Sequence, residues 1–484
     1  MKTTSRINFR SAFWLLFAAG AAIMAMVGCN SKVESGFATS EDTKEKVLIA
    51  PEPLKLLAIG VAGFDDEISR QWSAQRDGDL KITHLSLDEF ASTEEFKEDF
   101  DLVVHPSSIS VDLISSELIR VFPRDGLVDP KMNQSAFMRH FRKSLVRHND
   151  KTWSVSLGGN QLRLFYRKDI LDAGGIEVPE TWEELNRAIE KLEGVQEASG
   201  MKAIVVPTAS GIASQIFMAQ AASRVRDQGK LTSFFDRKTM KPTVDSPPFE
   251  KALGELKVFA KLSGGTYSVA ETFAKFAAGE AVFAIAWPCD AEALEAESLE
   301  SDSANWGVVR LPGTQKFYDL KESIWMTRDK DDESQVDLLG VDATNISISS
   351  GTSNAKDATE FVIWLTDKRN SQKLLQGIAA PFRATHLARV GQWYGIDQAD
   401  REFLDAFADS IEETHKARIF LMFPQLPGKQ RYLKTLDDAI AEFLAGQGGE
   451  AKDTLQRVEK EWEALTESLD RSRQVNELRR GNGI

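Results

Sequence analysis

The sequence predicts an α/β protein built from parallel sheets with helices on both faces. Three observations carry this: strands alternate with helices from residue 54 to 104, the alternation resumes from 203 to 310, and the chain after 400 is mostly helical. Residues 54–61 (LKLLAIGV) read as a buried strand ending near Gly63, followed by a helix over 64–75 with Asp65, Asp66 and Glu67 in its first turn. Strands are expected at 80–85 and 100–104, with Pro106-Ser107-Ser108 starting the element that follows. Later strands fall at 203–207, 281–286 and 306–310, and helices at 250–261, 271–278 and 358–376. Leu455, Val458, Trp462, Leu465 and Leu469 recur at helical spacing, so the last helix should dock one face on its own core. Residues 319–342, acidic and turn-rich, read as a surface insertion.

The first residues carry a separate message. Lys2, Arg6 and Arg10 precede an apolar run over 11–27, which stops at Gly28-Cys29. This is the order of a secretory signal. Met26-Val27-Gly28-Cys29 resembles the bacterial lipobox, so residues 1–28 are expected to be a lipoprotein signal peptide with Cys29 as the lipid attachment site. A spanning helix is the weaker reading, because the cysteine sits where the apolar run ends. Residues 29–53, rich in Ser, Glu, Lys and Thr, read as a flexible tether. The exported chain would then be lipid-anchored to the cell envelope, facing the periplasm or the outer surface of the cytoplasmic membrane. Cys289 is the only other cysteine, which rules out an internal disulfide once Cys29 is modified, and it reads as a small buried hydrophobe.

Composition and motifs narrow the function. The chain has 484 residues, 42% of them hydrophobic, which is enough for large cores. A net charge of -14 argues against nucleic-acid binding, which needs a basic face. There is no phosphate-binding GxxxxGK[ST] loop, no GxGxxG after a strand, no HExxH and no GxSxG elbow. The histidines show no metal-ligand spacing, and His140 and His148 read as two residues on an exposed helix face. No cofactor, no metal and no catalytic residue is assigned, and the chain is not expected to be an enzyme. A hydrolase using carboxylates stays as the enzymatic alternative.

Four blocks, in order, carry a resemblance. They are residues 152–185 (TWSVSLGGNQ, then LFYRKD, AGGI and VPETWEEL), 276–283 (FAAGEAVF), 306–313 (WGVVRLPG) and 358–366 (ATEFVIWLT). Together they resemble the extracellular solute-binding proteins of ABC importers, of the sugar-binding type related to maltose-binding protein, over about 54–469. The resemblance implies a type II periplasmic-binding-protein-like fold: two doubly wound lobes joined by a hinge, with a ligand cleft between them. Lobe I would comprise 54–160 with 313–381, and lobe II 161–312 with 382–484. Gly158-Gly159, Leu311-Pro312-Gly313 and Ala380-Pro381 mark the expected crossings. It further implies a monomer that takes a small polar solute, a carbohydrate before a polyamine, an anion or a metal chelate, and delivers it to membrane permease subunits. A lipid-anchored sensor is the alternative role.

In such a fold the ligand sits beyond the carboxyl ends of strands. Phe64, Asp65 and Asp66 follow the first strand, and the two carboxylates serve equally well as helix caps or as acceptors for solute hydroxyls. Ser107 and Ser108 follow the third strand, again as cap or contact. Asn160 and Gln161 lie at the first crossing with amides that both donate and accept. Ser210 follows Pro207, and Arg383 follows the third crossing. Trp287 follows a strand where the resemblance places a stacking aromatic, a surface suited to the CH face of a sugar. The chain departs from its relatives at Trp153, where they often have Tyr, and at 319–342, where their loop is shorter.

Overall fold

The computed structural model describes residues 52–75, 78–93, 100–226, 234–289, 299, 302–329, 332–339 and 343–481. The expected signal, Cys29 and nearly all of the tether lie outside them.

The first sheet is built where the alternating pattern begins. Leu54–Ile59 (β1) is buried along nearly its whole length, as a strand covered on both faces must be. Asp66–Ser73 (α1) follows, with Asp65 as its cap: the carboxylate accepts from Glu67 N at 3.0 Å. Leu80–Leu85 (β2) and Leu102–Pro106 (β3) each pair parallel with β1. After β3 a short turn over Ser107–Ile109 leads into the helix Ser110–Ser115 (α2). The four-residue helix Arg139–Arg142 (α3) and the hairpin of Arg147–His148 (β4) and Lys151–Thr152 (β5) lead to Ser154–Gly159 (β6).

The chain then leaves this sheet. Arg163–Arg167 (β7) opens a second one. Next come Trp182–Lys191 (α4), Lys202–Val205 (β8), Ala213–Ala222 (α5), Val225–Arg226 (β9), Pro247–Ser263 (α6), Val269–Ala277 (α7), Ala281–Ala286 (β10) and Trp306–Arg310 (β11). The start of α4 is a capping box, as its sequence requires: Thr181 Oγ1 accepts from Glu184 N at 3.2 Å while Glu184 accepts from Thr181 N at 3.0 Å. Lys316–Asp319 (β12) and Ile324–Thr327 (β13) form a hairpin that pairs with β9, and Asp337–Leu339 (β14) follows. Ala343–Ile348 (β15) rejoins the first sheet. The longer elements that follow are Ala355–Leu365 (α8), Arg401–Lys416 (α9), Phe420–Met422 (β16), Lys429–Leu444 (α10), Ala451–Ser468 (α11) and Arg471–Gly481 (α12), with β16 pairing β14. Leu455, Val458, Trp462 and Leu465 are buried, so α11 docks on its own core by the expected face.

The sheets are mixed rather than wholly parallel, and the reason fixes which strand ends lie at the crossing. The first sheet has the order β2-β1-β3-β15-β6 and the second β11-β7-β10-β8. In the first only β15 runs against its neighbours, and in the second β7 runs against both β10 and β11. These two are the strands on which the chain arrives from the other sheet. A chain that crosses at the carboxyl end of one sheet enters the next from that same side and must run away from it. Hence the carboxyl ends of β1, β3 and β6 and those of β8, β10 and β11 all lie on the crossing side. Gly159 and Arg163 are four residues apart, so the two sheets approach within about 14 Å there.

The crossing itself is tight. Gly158 has φ +94°, and a Cβ there would lie 2.2 Å from the carbonyl oxygen of Ala380, so only glycine lets these two segments touch.

Three sequence expectations need correction. Gly313 does not return the chain to the first sheet: it donates to Glu180 O at 2.8 Å and accepts from Trp182 N at 3.0 Å, which holds it beside α4. The re-entry comes at Ala343. Residues 319–342 are not simply a surface insertion, because part of the segment is held by pairing with second-layer strands and by Arg310, which binds Glu333 and the buried Asp337. His140 and His148 do not share an exposed helix face. Both are buried, one on the short α3 and one on strand β4, because this stretch is wedged between the layers.

Candidate functional site

The loops at the crossing ends of the strands are the candidate site, and the helix α10 ties them together. It packs on the Ser107–Ile109 turn, which follows β3. Gly428, just before it, donates its N–H to Asp112 Oδ1 of α2 at 2.7 Å. Two turns on, Asp437 caps α5, accepting from Gly211 N at 2.6 Å and Ser214 N at 3.0 Å. The loop after β3 and the loop after β8 are therefore held on one helix, about 12 Å apart along its axis.

Around this frame the candidate residues divide by what they touch. Asp65 and Asp66 are exposed, Asp65 with one oxygen on its cap bond. Phe64 is fully buried in the core, and Gly63 before it packs so that a Cβ would meet Ile378 at 2.8 Å. Ser107 and Ser108 are buried in the turn that packs on α10. Ser210 lies 3.4 Å from Asp437, as part of the α5 cap. Trp287 follows β10 directly and sits among apolar neighbours, 9% exposed. Asn160 is half-buried, and its Oδ1 is buried with no hydrogen-bond partner among the described residues. A buried acceptor left in this way favours a donor brought from outside.

Gln161 and Arg383 are engaged within the protein. Gln161 Oε1 accepts from Arg163 Nη2 at 2.6 Å, while its Nε2 lies 3.0 Å from Nε2 of His415. Burial, then the charges of His140 and Arg163, push the His415 imidazole down to about 3, so it is neutral and accepts the amide proton. Arg383 donates to the carbonyls of Thr366 at 2.8 Å, Asn133 at 3.3 Å and Met132, with its guanidinium 4.3 Å from the Phe137 ring centre. Burial lowers it to about 10.

Asp112, Gly428, Asp437 and Arg163 escaped sequence reasoning. Their distant partners lie 223 to 316 residues away, and no local spacing signals them. Burial raises the Asp112 carboxyl to about 6, against the Gly428 N–H and the charges of Arg431 and Arg473. Among the described residues no group of three or more His, Cys, Asp or Glu could hold a metal ion, and no helix is long and apolar enough to cross a membrane.

Comparison with known proteins agrees with this architecture. The family model for bacterial extracellular solute-binding proteins matches residues 106–386, more than half of the chain, and the chain belongs to that family. It is accordingly an exported protein. No curated protein matches the chain. Among solved structures it is similar to an ABC transporter solute-binding protein from Agrobacterium radiobacter K84 in complex with ribitol, at 17% identity and TM-score 0.61, covering 85% of this chain and 98% of that one. It is also similar to maltose-bound MalE3 of T. maritima, at 17% identity and TM-score 0.61, covering 86% and 100%. A third is an ABC substrate-binding protein from Listeria monocytogenes in complex with cycloalternan, at 14% identity and TM-score 0.61, covering 86% and 99%. These likenesses establish the fold.

Proposed function

We propose that the protein is the solute-binding component of an ABC importer, capturing a sugar or polyol between two lobes and passing it unaltered to the membrane permease. The observation that carries this is topological: the strand ends of both sheets meet at the crossings, where α10 joins their loops. The ribitol, maltose and cycloalternan of the similar structures support a polyhydroxylated ligand. In this reading lobe I holds 54–159 with 343–383 and lobe II 161–339 with 384–481, the pairing of β12 and β14 having moved their segment to lobe II. Asn160, Asp65, Asp66, Ser107, Ser108 and Trp287 are the proposed contacts, hydroxyl bonds to the polar groups and a CH face against the indole.

A thermal-shift screen of the full chain against polyols, oligosaccharides, polyamines and inorganic anions tests the reading. A solute at a hundred times its Kd should stabilise the protein by about 2.7 kcal/mol, and mass spectrometry should recover it unchanged. Stabilisation by polyamines or anions alone would overturn the sugar assignment, and a modified solute would overturn the non-enzymatic one.

The lipid anchor at Cys29 is part of the same proposal, supported by the basic, apolar, Gly-Cys order of the first residues. Replacing Cys29 with Ala is expected to abolish incorporation of a labelled fatty acid and leave an unprocessed precursor. Undiminished labelling excludes Cys29 as the attachment site.

A further inference from the structure

The hairpin of β12 and β13 presents an open edge. β13 is the outermost strand of the sheet β13-β12-β9, and among the described residues no strand pairs with its outer side. All four of its residues, Ile324-Trp325-Met326-Thr327, are exposed, the first three at 52%, 41% and 41%. The ladder fixes which backbone groups face outward. Tyr318 donates its N–H to Arg224 O at 2.7 Å, on the β9 side, and Arg328 donates to Gln315 O at 2.8 Å, on the β12 side. Successive residues alternate, so Trp325, opposite Tyr318, and Thr327, one before Arg328, turn their N–H and C=O outward. Side chains alternate as well. Ile324 and Met326 share the face of the buried Phe317, while Trp325 meets Tyr318 on the other face at 5.5 Å between ring centres. Proteins commonly blunt such an edge with a charge, a proline or a bulge, and β13 has none of these.

We propose that β13 pairs with β13 of a second copy of this chain, antiparallel and in the register centred on Trp325. An antiparallel edge is its own complement, because a two-fold axis sets the same donors and acceptors opposite each other. With Trp325 opposite Trp325, the two residues exchange both of their outward backbone bonds. The charges agree with that register. Lys321 falls opposite Asp329 and Glu322 opposite Arg328, so no like charges face each other from 321 to 329. Ile324 falls opposite Met326, apolar against apolar, and the two indoles meet at the axis. A four-residue strand is short beside the roughly 20–30 residues a side of a stable dimer, so the pairing should be reversible and depend on concentration. It uses none of the proposed solute contacts and stands apart from the solute-binding reading. The resemblance to solute-binding proteins implies a monomer, but the hairpin overlaps the stretch in which this chain departs from its relatives.

Sedimentation velocity of the full chain in detergent, over a range of concentrations, reads the association. The wild type should pass from monomer to dimer as concentration rises. In a mixture of unlabelled and isotope-labelled chain, a carbodiimide should couple Lys321 of one label to Asp329 of the other. Thr327→Pro removes an outward N–H and leaves the bonds to β12 in place, and Trp325→Lys sets a charge on the edge. Each should weaken dimerisation roughly tenfold with Tm unchanged. Should either variant lower Tm, the coupling between labels in the wild type decides alone. A chain that stays monomeric at every concentration overturns the proposal. So does a dimer that both variants leave intact, since another surface would then hold it, and so does coupling confined to a single label. If the β13 amides of a monomer gain exchange protection only when permease-containing membrane is added, the edge serves a different chain and the self-pairing falls.

Discussion

Replacing Asp337 with alanine is expected to destabilise the protein by about 3–5 kcal/mol, because it strands a buried guanidinium. Arg310 gives Asp337 two contacts, Nε at 2.9 Å and Nη2 at 2.6 Å, and both residues are almost fully buried. Arg310 also faces Arg163 directly across the β11–β7 ladder, so loss of the carboxylate leaves two cations opposite each other. Glu333, 2.8 Å from Arg310 Nη1, is too exposed to replace it. Urea denaturation measures the change. A loss under about 1 kcal/mol, the range of an exposed pair, would show that the bridge is solvated and weak. Exchanging both partners for apolar residues of similar size should cost far less than removing one.

Acid is expected to unfold the protein well above the range in which carboxylates titrate. Burial pushes the imidazoles of His105 and His140 down to about 4 and that of His386 to about 3, from 6.5. His105 uses both nitrogens, Nδ1–H to Pro106 O and Nε2 toward Ser347 Oγ, each at 3.0 Å. The two of His140 have no hydrogen-bond partner among the described residues. His415, with its ring centre 5.7 Å from that of His140, moves the same way. Since the folded values lie below the unfolded one, the unfolded chain binds protons first. The stability these groups give is complete above about 6.5 and is lost as the pH falls toward 4. Between pH 7.5 and 5 each costs on the order of 1–2 kcal/mol. Asp112, raised to about 6, works in the opposite direction, but it is one group against four. Unfolding followed by circular dichroism from pH 7.5 to 5 should show a steep fall in Tm, shallower in His386→Asn. A flat profile would mean that these rings are hydrated.

What the sequence made legible was what depends on near neighbours. The Thr181–Glu184 box, the apolar face of α11 and the buried strands each need only a few consecutive residues to specify them. The antiparallel sense of β7 and β15 was hidden, because it follows from where the chain crosses and not from any local pattern. The same is true of the site. Asp65 could be assigned as a cap, but that Asp437 caps the loop holding Ser210 is set by the packing of α10 on α5. His140 and His148 misled because polar residues in a basic stretch look solvated. The segment over 319–342 misled in the same way, two of its carboxylates, Glu333 and Asp337, being taken up by an arginine on a strand 27 residues upstream of Asp337.

The place of β15 in the first sheet has a consequence for how the chain is made. β3 pairs with a strand whose residues follow it by about 240 positions, so the sheet is still incomplete when the whole of the second layer's strands through β11 has been synthesised. Pairings this distant along the chain form late, since loop closure must precede them. Until residues 343–348 emerge, β3 keeps an open hydrogen-bonding edge. For an exported protein this delays completion of the fold until most of the chain is available. It also means that a chain cut short anywhere before β15 ends as an unfinished sheet with an adhesive edge.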